Sequence, residues 1–305
     1  MHIRTSEPMV SVCCVTYNHE KYIAEALDGF LMQKTTFPYE IIVGDDCSTD
    51  STRQIIQEYS CKYPGRIYLL TDIVNIGGIN NQIRTFGQAK GKYIAMCDGD
   101  DYWTDPLKLQ KQVDFMECHP DSVICCHYSR VISENGELVY ENPAPVRLEF
   151  GYEDVLLGKK EETRICSLMM RNNQYVSQIS SHEWYHKTHG ADTFLKLYTL
   201  AKEKGKIYVL PEVMSVYRVH RNGIWSMIDP KVRKKRMISD FNIMINHFQY
   251  PEKYKKKLLN VYISQYFLFD IRHSNIPSAI NTIFTLSAIY TLIKMSRRWI
   301  HKYFF

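Results

Sequence analysis

The chain is organised around the stretch Gly91-Lys-Tyr-Ile-Ala-Met-Cys-Asp-Gly-Asp-Asp101, in which an apolar run ends in three carboxylates. The run from Tyr93 to Cys97 predicts a buried strand, because consecutive apolar residues suit a strand that is covered on both faces. Crowded carboxylates raise one another's pKa values unless a cation or water relieves the repulsion. A hard divalent cation such as Mg²⁺ or Mn²⁺ binds one or two carboxylates and leaves its other positions to water and phosphates. The stretch therefore indicates either a metal and diphosphate site or a solvated acidic turn before the next helix.

Three further predicted strands precede this stretch, and helices alternate with them. The apolar runs that predict these strands are Met9–Val15, Tyr39–Val43 and Arg66–Leu70. Helices are predicted from Tyr22, from Ser51, where Ser51-Thr-Arg-Gln54 resembles a capping box, and from about Asn80 to Ala89. Strands that alternate with helices predict an α/β fold with an open, doubly wound, mostly parallel sheet. In such sheets, ligands bind beyond the carboxyl ends of the strands.

Four polar or glycine positions follow the predicted strands closely: Asn18, Asp46, Gly77 and Asp98. Because the carboxyl ends of parallel strands share one edge of a sheet, we expect these positions to lie near one another. The sequence thus predicts a ligand site on this edge.

The second half of the chain is less regular. After Pro106 the pattern predicts a helix, a strand over Ser122–Cys126, a hairpin over Ser129–Tyr140, a linker over Pro143–Phe150, a helix over Ala191–Lys204, and two strands, Lys206–Leu210 and Val213–Val219. From Pro230 onward the pattern is helical and contains no clear catalytic residue. We therefore place a boundary near Trp225, with one domain over residues 1–225 and a basic helical segment over residues 226–305.

The distribution of charge bears on possible partners. The 305 residues carry a net charge of +5, and the basic excess lies late in the chain, in Lys231–Arg236, Lys253–Lys257 and Arg297-Arg298. A nucleic-acid-binding domain spreads or stripes its basic residues, so this asymmetry indicates a basic tail and argues against nucleic acid as a partner.

Cysteine usage and the N-terminus indicate the compartment. The nine cysteines lack the spacing of a disulfide framework, which favours a reducing environment. Met1-His-Ile-Arg-Thr-Ser-Glu7 lacks the apolar region of a signal peptide. We therefore expect a cytoplasmic protein.

Two common nucleotide-binding signatures are missing. No G-x-G-x-x-G follows the first strand, and no G-x-x-x-x-G-K-[ST] occurs. These absences argue against a dinucleotide oxidoreductase and a P-loop NTPase. Phosphates would then be bound through a metal.

Three motifs in order carry a family resemblance. Val10-Ser-Val-Cys-Cys-Val-Thr-Tyr-Asn18, Tyr39-Glu-Ile-Ile-Val-Gly-Asp-Asp-Cys-Ser-Thr-Asp50 and the stretch from Gly91 to Asp101 resemble those of family 2 glycosyltransferases, which have the GT-A fold. The resemblance is strong over about the first 130 residues and weaker to about Trp225. It implies a metal-dependent, inverting transfer of a sugar from a nucleotide diphosphate, with UDP favoured, to a glycan or lipid-linked acceptor in polysaccharide synthesis.

The resemblance also implies roles for single residues. Thr16, Tyr17 and Asn18 lie in the loop around the nucleotide base, Asp46 accepts a hydrogen bond from the base, and Asp98 lies near the ribose. Asp100 or Asp101 binds Mn²⁺ or Mg²⁺, and the choice between them stays open. Gly77 is predicted to let the backbone approach the diphosphate and Arg84 to pair with it; a plain turn and a solvated helix face are the alternatives.

Two later residues complete the predicted site. An inverting transferase needs a carboxylate that takes the proton of the acceptor hydroxyl, and Gly190-Ala191-Asp192 resembles the family element that supplies it. Asp192 could instead be a first-turn carboxylate that the helix dipole favours. Tyr217-Arg-Val-His220 resembles a Y-R-x-H segment whose histidine approaches the metal or diphosphate, although a lone histidine is often structural.

Other interpretations stay open. The segment from Ile276 to Phe305 combines an apolar helical stripe with a cationic and aromatic end. It either lies on an anionic membrane surface, at the inner face of the cell membrane, or packs on the catalytic domain. A sugar nucleotidyltransferase and a non-catalytic membrane-surface scaffold with a degenerate fold are the alternative functions. The first would normally carry a glycine- and lysine-rich phosphate loop, which Thr16-Tyr-Asn-His-Glu20 is not.

Overall fold

A computed structural model describes residues 7–159, 161–221, 223, 229–248, 270, 271, 276, 277, 279 and 280. The predicted amphipathic segment from Ile276 lies outside this part of the chain apart from four positions, and its membrane role stays a prediction. No helix among the described residues combines the length and apolar character that crossing a bilayer requires. Two compact units are present, Met1–His186 with Leu195–Met227, and Lys187–Phe194 with Ile228–Phe305.

The elements follow one another in a β/α order through the first hundred residues. The strands are β1 Val10–Thr16, β2 Tyr39–Asp45, β3 Ile67–Thr71, β4 Tyr93–Met96, β5 Tyr102–Trp103, β6 Ser122–Ser133, β7 Leu138–Tyr140, β8 Leu148–Phe150, β9 Met169–Arg171 and β10 Lys206–Val219. The α-helices are α1 Ile23–Leu31, α2 Thr52–Lys62, α3 Gly78–Phe86, α4 Lys108–Cys118, α5 Tyr152–Leu156, α6 Gln174–Gln178, α7 Ala191–Glu203 and α8 Pro230–His247. Single 3₁₀ turns cover Ile165–Ser167, Ile179–Ser181 and Tyr185–Lys187.

The strands form one sheet in the order β3-β2-β1-β4-β9-β6-β10-β5, with β7 paired to β6 and β8 paired to β10. β3, β2, β1 and β4 are mutually parallel, as are β6 and β10, whereas β5, β7, β8 and β9 pair antiparallel. The predicted α/β sheet is therefore confirmed. Because β2, β1 and β4 run in the same direction, the loops after them emerge at one edge, which is the predicted ligand edge.

Trp103 anchors the chain just after the acidic stretch. Its ring packs edge-on against Phe30 of α1, with centroids 4.7 Å apart, and its Nε1–H donates to the carbonyl of Cys166 at 2.8 Å. A Cβ at Gly29 would lie 2.9 Å from the backbone N and O of Trp103, so only glycine allows α1 to approach this closely. Trp103 is thus a core residue that fixes the position of the acidic stretch.

The antiparallel pairing of β6 with β7 confirms the predicted hairpin, but four details of the local predictions are wrong. The predicted strand Ser122–Cys126 continues without a break into the first arm of the hairpin, and the two predicted strands after Lys206 are one strand whose register shifts around Leu210 and Val213. The predicted linker contains β8, because its last three residues pair with β10. The predicted capping box is absent, because the side chain of Ser51 makes no capping hydrogen bond to α2. The backbone of Ser51 has φ −75° and ψ 1° rather than the extended conformation of a capping residue. Asp50 accepts from the Thr52 N–H instead, at 3.0 Å.

The second unit has its own polar anchor. Asp240 of α8 accepts hydrogen bonds from the backbone N–H groups of His189 and Gly190, each at 2.8 Å. Both donors lie immediately before α7, so this carboxylate holds the chain at the start of that helix. Asp192 lies in the first turn of α7, within this unit.

His127 of β6 predicts a pH-dependent stability. Its ring is fully buried, Nδ1 donates to the carbonyl of Tyr128 at 2.9 Å, and Nε2 has no hydrogen-bond partner among the described residues. Burial, aided by the charge of Lys108, lowers the pKa of His127 to about 3. The unfolded chain binds this proton below about pH 6.5, so His127 should cost the fold about 1.4 kcal/mol per pH unit between about pH 6.5 and its folded pKa.

His127→Asn keeps a donor for the Tyr128 carbonyl but cannot titrate. We expect it to be less stable than wild type at pH 7, because it leaves a small cavity. Its stability should nevertheless fall less steeply than that of wild type when urea unfolding is measured at pH 7, 6 and 5. Parallel pH profiles for the two proteins would show that His127 does not titrate as inferred.

Candidate active site

The loop after β1 places a histidine beside a buried threonine. Oγ1 of Thr16 lies 3.1 Å from Nδ1 of His19, which leaves Nε2 of His19 directed elsewhere. Asn18 has φ 56°, a left-handed conformation that asparagine tolerates, and its side-chain oxygen accepts from the N–H of Thr49 at 2.8 Å. The predicted nucleotide residue Asn18 therefore already serves as a brace for the loop. Tyr17 is 43% exposed and open to a ligand.

The acidic turn after β4 touches this loop. The N–H of Gly99 donates to the carbonyl of Val15 at 2.9 Å, and the N–H of Asp101 donates to the carbonyl of Asp98 at 3.1 Å. A Cβ at Gly99 would lie 2.6 Å from Oγ1 of Thr16, so the glycine is what allows the contact. The structure thereby brings Asp98 and Asp100 to the end of β1.

Two histidines flank Asp100. Nε2 of His220 lies 2.9 Å from Oδ2 of Asp100, and Nε2 of His19 lies 3.8 Å from the same oxygen. One ligand atom from each of the three residues lies within 4.8 Å of the others, which is close enough to share a metal ion. We call His19, Asp100 and His220 the His-Asp-His cluster.

Asp101 points to a different partner. Its Oδ1 accepts from the backbone N–H of Arg218 at 2.8 Å, and the carboxyl group is 2% exposed. Burial and the charge of Asp100 raise the pKa of Asp101 well above its usual range. Nη1 of Arg218 also donates to the carbonyl of Asp100 at 2.9 Å. Of the two predicted ligands, the His-Asp-His cluster contains Asp100 and not Asp101.

The neighbouring charges set the protonation of the cluster. Burial alone would raise the pKa of Asp100, but the hydrogen bond from His220 and the nearby His19 outweigh burial, and the pKa is lowered. Burial lowers the pKa of His19, partly opposed by Asp100. An ionised carboxylate beside a neutral imidazole is the state in which both bind a metal.

Asp46 lies beyond the end of β2, next to the same loop. Its N–H donates to the carbonyl of Thr16 at 3.0 Å, and its Oδ1 accepts from the N–H of Ile76 at 2.8 Å. Asn75 donates from its side chain to the carbonyl of Asp46 at 3.0 Å, and Gly77 follows with φ 84° at the start of α3. Apart from its chain neighbours, no atom of the described residues lies within 4 Å of a Cβ built on Gly77, so glycine is needed at this position for its backbone conformation and not for lack of space.

Arg84 is engaged by the protein. Nη1 donates to Oδ2 of Asp72 at 2.8 Å, and Nη2 donates to the carbonyl of Asp45 at 3.0 Å and to Oδ1 of Asn81 at 2.7 Å. The guanidinium thus joins the ends of β2 and β3 to α3. These contacts favour a structural role for Arg84 over the predicted contact with a diphosphate.

A match to a known family decides the class of the protein. The sequence model described as Glycosyl transferase family 2 matches residues 11–180, more than half of the chain. The chain belongs to glycosyltransferase family 2. The resemblance inferred from the three motifs is thereby confirmed, and so is the predicted enzyme class.

Relatives from several organisms agree with this assignment. The uncharacterized protein Rv1520 of Mycobacterium tuberculosis is 39% identical over 222 residues, which are 71% of this chain and 60% of the relative. This chain therefore spans about 60% of the length of that relative. TuaG of Bacillus subtilis, named as a teichuronic acid biosynthesis glycosyltransferase, is 31% identical over 220 residues, 72% of this chain and 82% of TuaG.

Solved structures share the fold of this glycosyltransferase. TarS of S. aureus in complex with UDP-GlcNAc superposes with a TM-score of 0.65 at 20% identity, covering 90% of this chain and 79% of TarS 1-349. The mannosyltransferase PcManGT from Pyrobaculum calidifontis, in complex with GDP-Man and Mn²⁺, gives a TM-score of 0.63 at 17% identity, covering 96% and 81%. At such identities the likeness concerns the fold alone, and it confirms the predicted GT-A fold.

Sequence reasoning missed His19 and Arg218 of this family 2 glycosyltransferase. His19 follows β1 on the predicted ligand edge, three residues after Thr16, and that position was the available signal. Arg218 and His220 lie two residues apart at the end of β10, and residues so spaced share one face of a strand. Asp192, by contrast, belongs to the second compact unit, so its role as a base stays a prediction.

The geometry predicts different effects for the two neighbouring aspartates. Asp100→Asn should weaken Mn²⁺ binding by about tenfold or more, because it removes the charged ligand of the cluster. Binding is measured with UDP present, by electron paramagnetic resonance of the free ion. Asp101→Asn is the matched control and should retain Mn²⁺ binding, because that carboxyl group faces the Arg218 N–H. The reverse order of the two variants would place the metal on Asp101.

Proposed function

We propose that the chain transfers a sugar, with inversion at the anomeric carbon, from a UDP-sugar to a hydroxyl group of a glycan or lipid-linked acceptor in polysaccharide synthesis. The observation that carries this proposal is the meeting of the His-Asp-His cluster, Asp98 and Asp46 around the end of β1. Asp46 offers a carboxylate to the base of a nucleotide, and the His-Asp-His cluster offers ligands to a metal. A nucleotide diphosphate that is bound through a metal would use both features.

The residues of the cluster fit a divalent metal. Two imidazole nitrogens and one carboxylate oxygen lie close enough to share an ion. Imidazole binds transition metals better than it binds magnesium, so this donor set favours Mn²⁺ over Mg²⁺. A bound Mn²⁺ would stabilise the negative charge of the departing diphosphate. The contact between Thr16 and Nδ1 of His19 orients the ring so that Nε2 faces Asp100.

Asp46 supports uridine as the nucleoside. Its Oδ1 already accepts from the N–H of Ile76, which leaves Oδ2 as the less committed oxygen. Uracil presents a single N–H donor on its pairing edge, whereas guanine presents two adjacent donors that suit both oxygens of a carboxylate. The existing bond to Ile76 therefore favours uracil.

The proposed transfer is a single in-line displacement. The acceptor oxygen forms a bond to the anomeric carbon while the bond from that carbon to the diphosphate breaks, and the acceptor proton passes to a carboxylate. Asp192, at the start of α7, is the residue that we propose for this proton. Another carboxylate between β8 and α7, Asp154, accepts from the Gly151 N–H at 3.1 Å through Oδ2 and from Lys159 Nζ at 3.0 Å through Oδ1, so it serves the first turn of α5.

The acceptor class rests on relatives. TuaG carries a name that refers to teichuronic acid biosynthesis, and it matches 72% of this chain. A polysaccharide or its lipid-linked precursor is therefore the acceptor class that we propose. The family assignment gives no support to a sugar nucleotidyltransferase.

Nucleotide affinity tests the role of Asp46. UDP should bind about tenfold or more tightly than GDP, because the second guanine donor would lack a full partner. Asp46→Ala should weaken UDP binding by about 1.5 to 3 kcal/mol, the range for a hydrogen bond to a charged group. Asp114→Asn, on the exposed face of α4, is the control and should bind UDP as wild type does. Equal affinities for UDP in wild type, Asp46→Ala and Asp114→Asn would show that the nucleotide base does not bind at Asp46.

Turnover tests Asp192. Asp192→Asn keeps the shape of the side chain but removes the proton acceptor, so turnover should fall by about 10² to 10⁴ fold while donor affinity stays near that of wild type. Asp154→Asn is the matched control, because it removes the charge of a first-turn carboxylate of α5 that accepts from the Gly151 N–H and pairs with Lys159. That variant should melt at a lower temperature and retain the turnover of its folded fraction.

The two patterns separate catalysis from helix capping when melting temperature, donor affinity and turnover are measured on the same preparations. If Asp192→Asn behaves as Asp154→Asn does, Asp192 is a cap. Glu153 and Glu183 would then be the next carboxylates to replace.

A further inference from the structure

A cavity of about 760 Å³ lies next to the His-Asp-His cluster. Its walls come from the start of α1, from β5, from the end of β10 and from the β6–β7 hairpin with its turn at Glu134-Asn135-Gly136. Its volume falls within the roughly 300 to 1,000 Å³ typical of small-molecule sites. None of the predicted nucleotide residues lines it, so it is separate from the base pocket around Asp46.

The charged side chains that line the cavity neutralise one another. They form three ion pairs, Lys21 with Glu134, Arg130 with Glu141, and Arg218 with Glu25. The Arg130 pair is two-pronged, with Nε 2.8 Å from one carboxylate oxygen of Glu141 and Nη2 3.3 Å from the other. Each described cation of the lining therefore has a carboxylate partner, and the described wall carries as many anionic as cationic side chains, with no surplus of positive charge.

Aromatic rings complete the lining. The guanidinium carbon of Arg218 lies 4.4 Å from the ring centroid of Tyr22 and 5.3 Å from that of Tyr102. The hydroxyl of Tyr22 lies 3.4 Å from Oε1 of Glu134. Aromatic surface beside paired carboxylates and guanidinium groups suits a ligand that has both hydroxyl groups and apolar C–H faces.

Two side chains connect the cavity with the cluster. Arg218 lines the cavity and donates to the carbonyl of Asp100, and the ring of Tyr22 lies 5.1 Å from the ring of His220. A ligand in the cavity would therefore lie beside the place where the diphosphate is proposed to depart. An acceptor hydroxyl must reach the anomeric carbon from such a neighbouring position.

We propose that this cavity binds the acceptor as an uncharged saccharide. The inference rests on the proposed transferase function and adds the chemistry of the acceptor unit that is bound. An anionic unit, such as a sugar phosphate or a uronate, would need cations that are not already paired with carboxylates. The hydroxyl groups of a neutral sugar can replace their hydrogen bonds to water with hydrogen bonds to the side chains of the three ion pairs. No charge is left unpaired when they do so.

Ligand-observed NMR on the full chain with UDP and diamagnetic Mg²⁺ present tests the proposal. The probes are methyl glycosides of glucose, galactose, mannose and N-acetylglucosamine, together with glucuronate and glycerol 3-phosphate as anionic probes. At least one neutral glycoside should show saturation transfer, and neither anionic probe should. Because UDP is present, a signal that persists comes from outside the nucleotide pocket.

Paired variants locate the binding. Arg130→Gln/Glu141→Gln keeps the net charge and should weaken binding of the neutral glycoside by about tenfold or more. Lys206→Gln/Glu149→Gln is the matched control, because it removes an exposed ion pair at the opposite end of β10. The affinity for UDP and the melting temperature of both double variants are measured alongside, so that misfolding is recognised.

The outcomes are distinct. Binding of glucuronate or glycerol 3-phosphate in preference to every neutral glycoside, or binding of no probe, overturns the inference. Equal glycoside affinity in the two double variants also overturns it, because the ligand would then lie elsewhere. Failure of wild type to bind UDP or to hydrolyse any UDP-sugar would instead contradict the proposed function. Both properties are measured in the absence of an acceptor.

Discussion

The site depends on one buried hydrogen bond, from the backbone N–H of Arg218 to the carboxyl group of Asp101. A carboxyl group that is 2% exposed is costly to bury without partners, so this contact strongly constrains the acidic turn. It joins residues more than a hundred positions apart and holds the end of β10 against the turn after β4. With that register fixed, His220 reaches Asp100.

Neighbouring carboxylates thereby take opposite roles. Asp101 accepts a backbone N–H and has a raised pKa, whereas Asp100 accepts from His220 and has a lowered pKa. Residues adjacent in sequence differ in this way because the turn directs one side chain toward β10 and the other toward the two histidines. The acidic turn is therefore a structural anchor through Asp101 and part of the His-Asp-His cluster through Asp100. The spacing of the carboxylates alone does not distinguish these two positions.

The regular elements were predictable because their signals are local. The buried face of α1, at Ile23, Ala26, Leu27 and Phe30, follows from helical spacing, and β1, β2 and β4 follow from apolar runs. The His-Asp-His cluster was only half predictable, because Asp100 follows β4 and His220 follows β10, and no local pattern relates these segments to His19. β8 escaped prediction for a similar reason, since its three residues become a strand only by pairing with β10. Arg84 shows the converse difficulty, because the sequence could not indicate its contacts with Asp72 and with the carbonyl of Asp45, and its predicted contact with a diphosphate stays a prediction.

Arg218 contacts both the acidic turn and the wall of the cavity. Its backbone holds Asp101, one guanidinium nitrogen holds the carbonyl of Asp100, and the other pairs with Glu25 in the cavity wall. The positive charge of Arg218 is thus shared between the turn and the cavity and is not left over for a phosphate. Charge on the proposed diphosphate would then be balanced at the His-Asp-His cluster, which supports the metal that we propose there. In the cavity beside it, the proposed acceptor would be recognised by directional hydrogen bonds to its hydroxyl groups, and a second anion there would repel the diphosphate that is proposed to leave next to it.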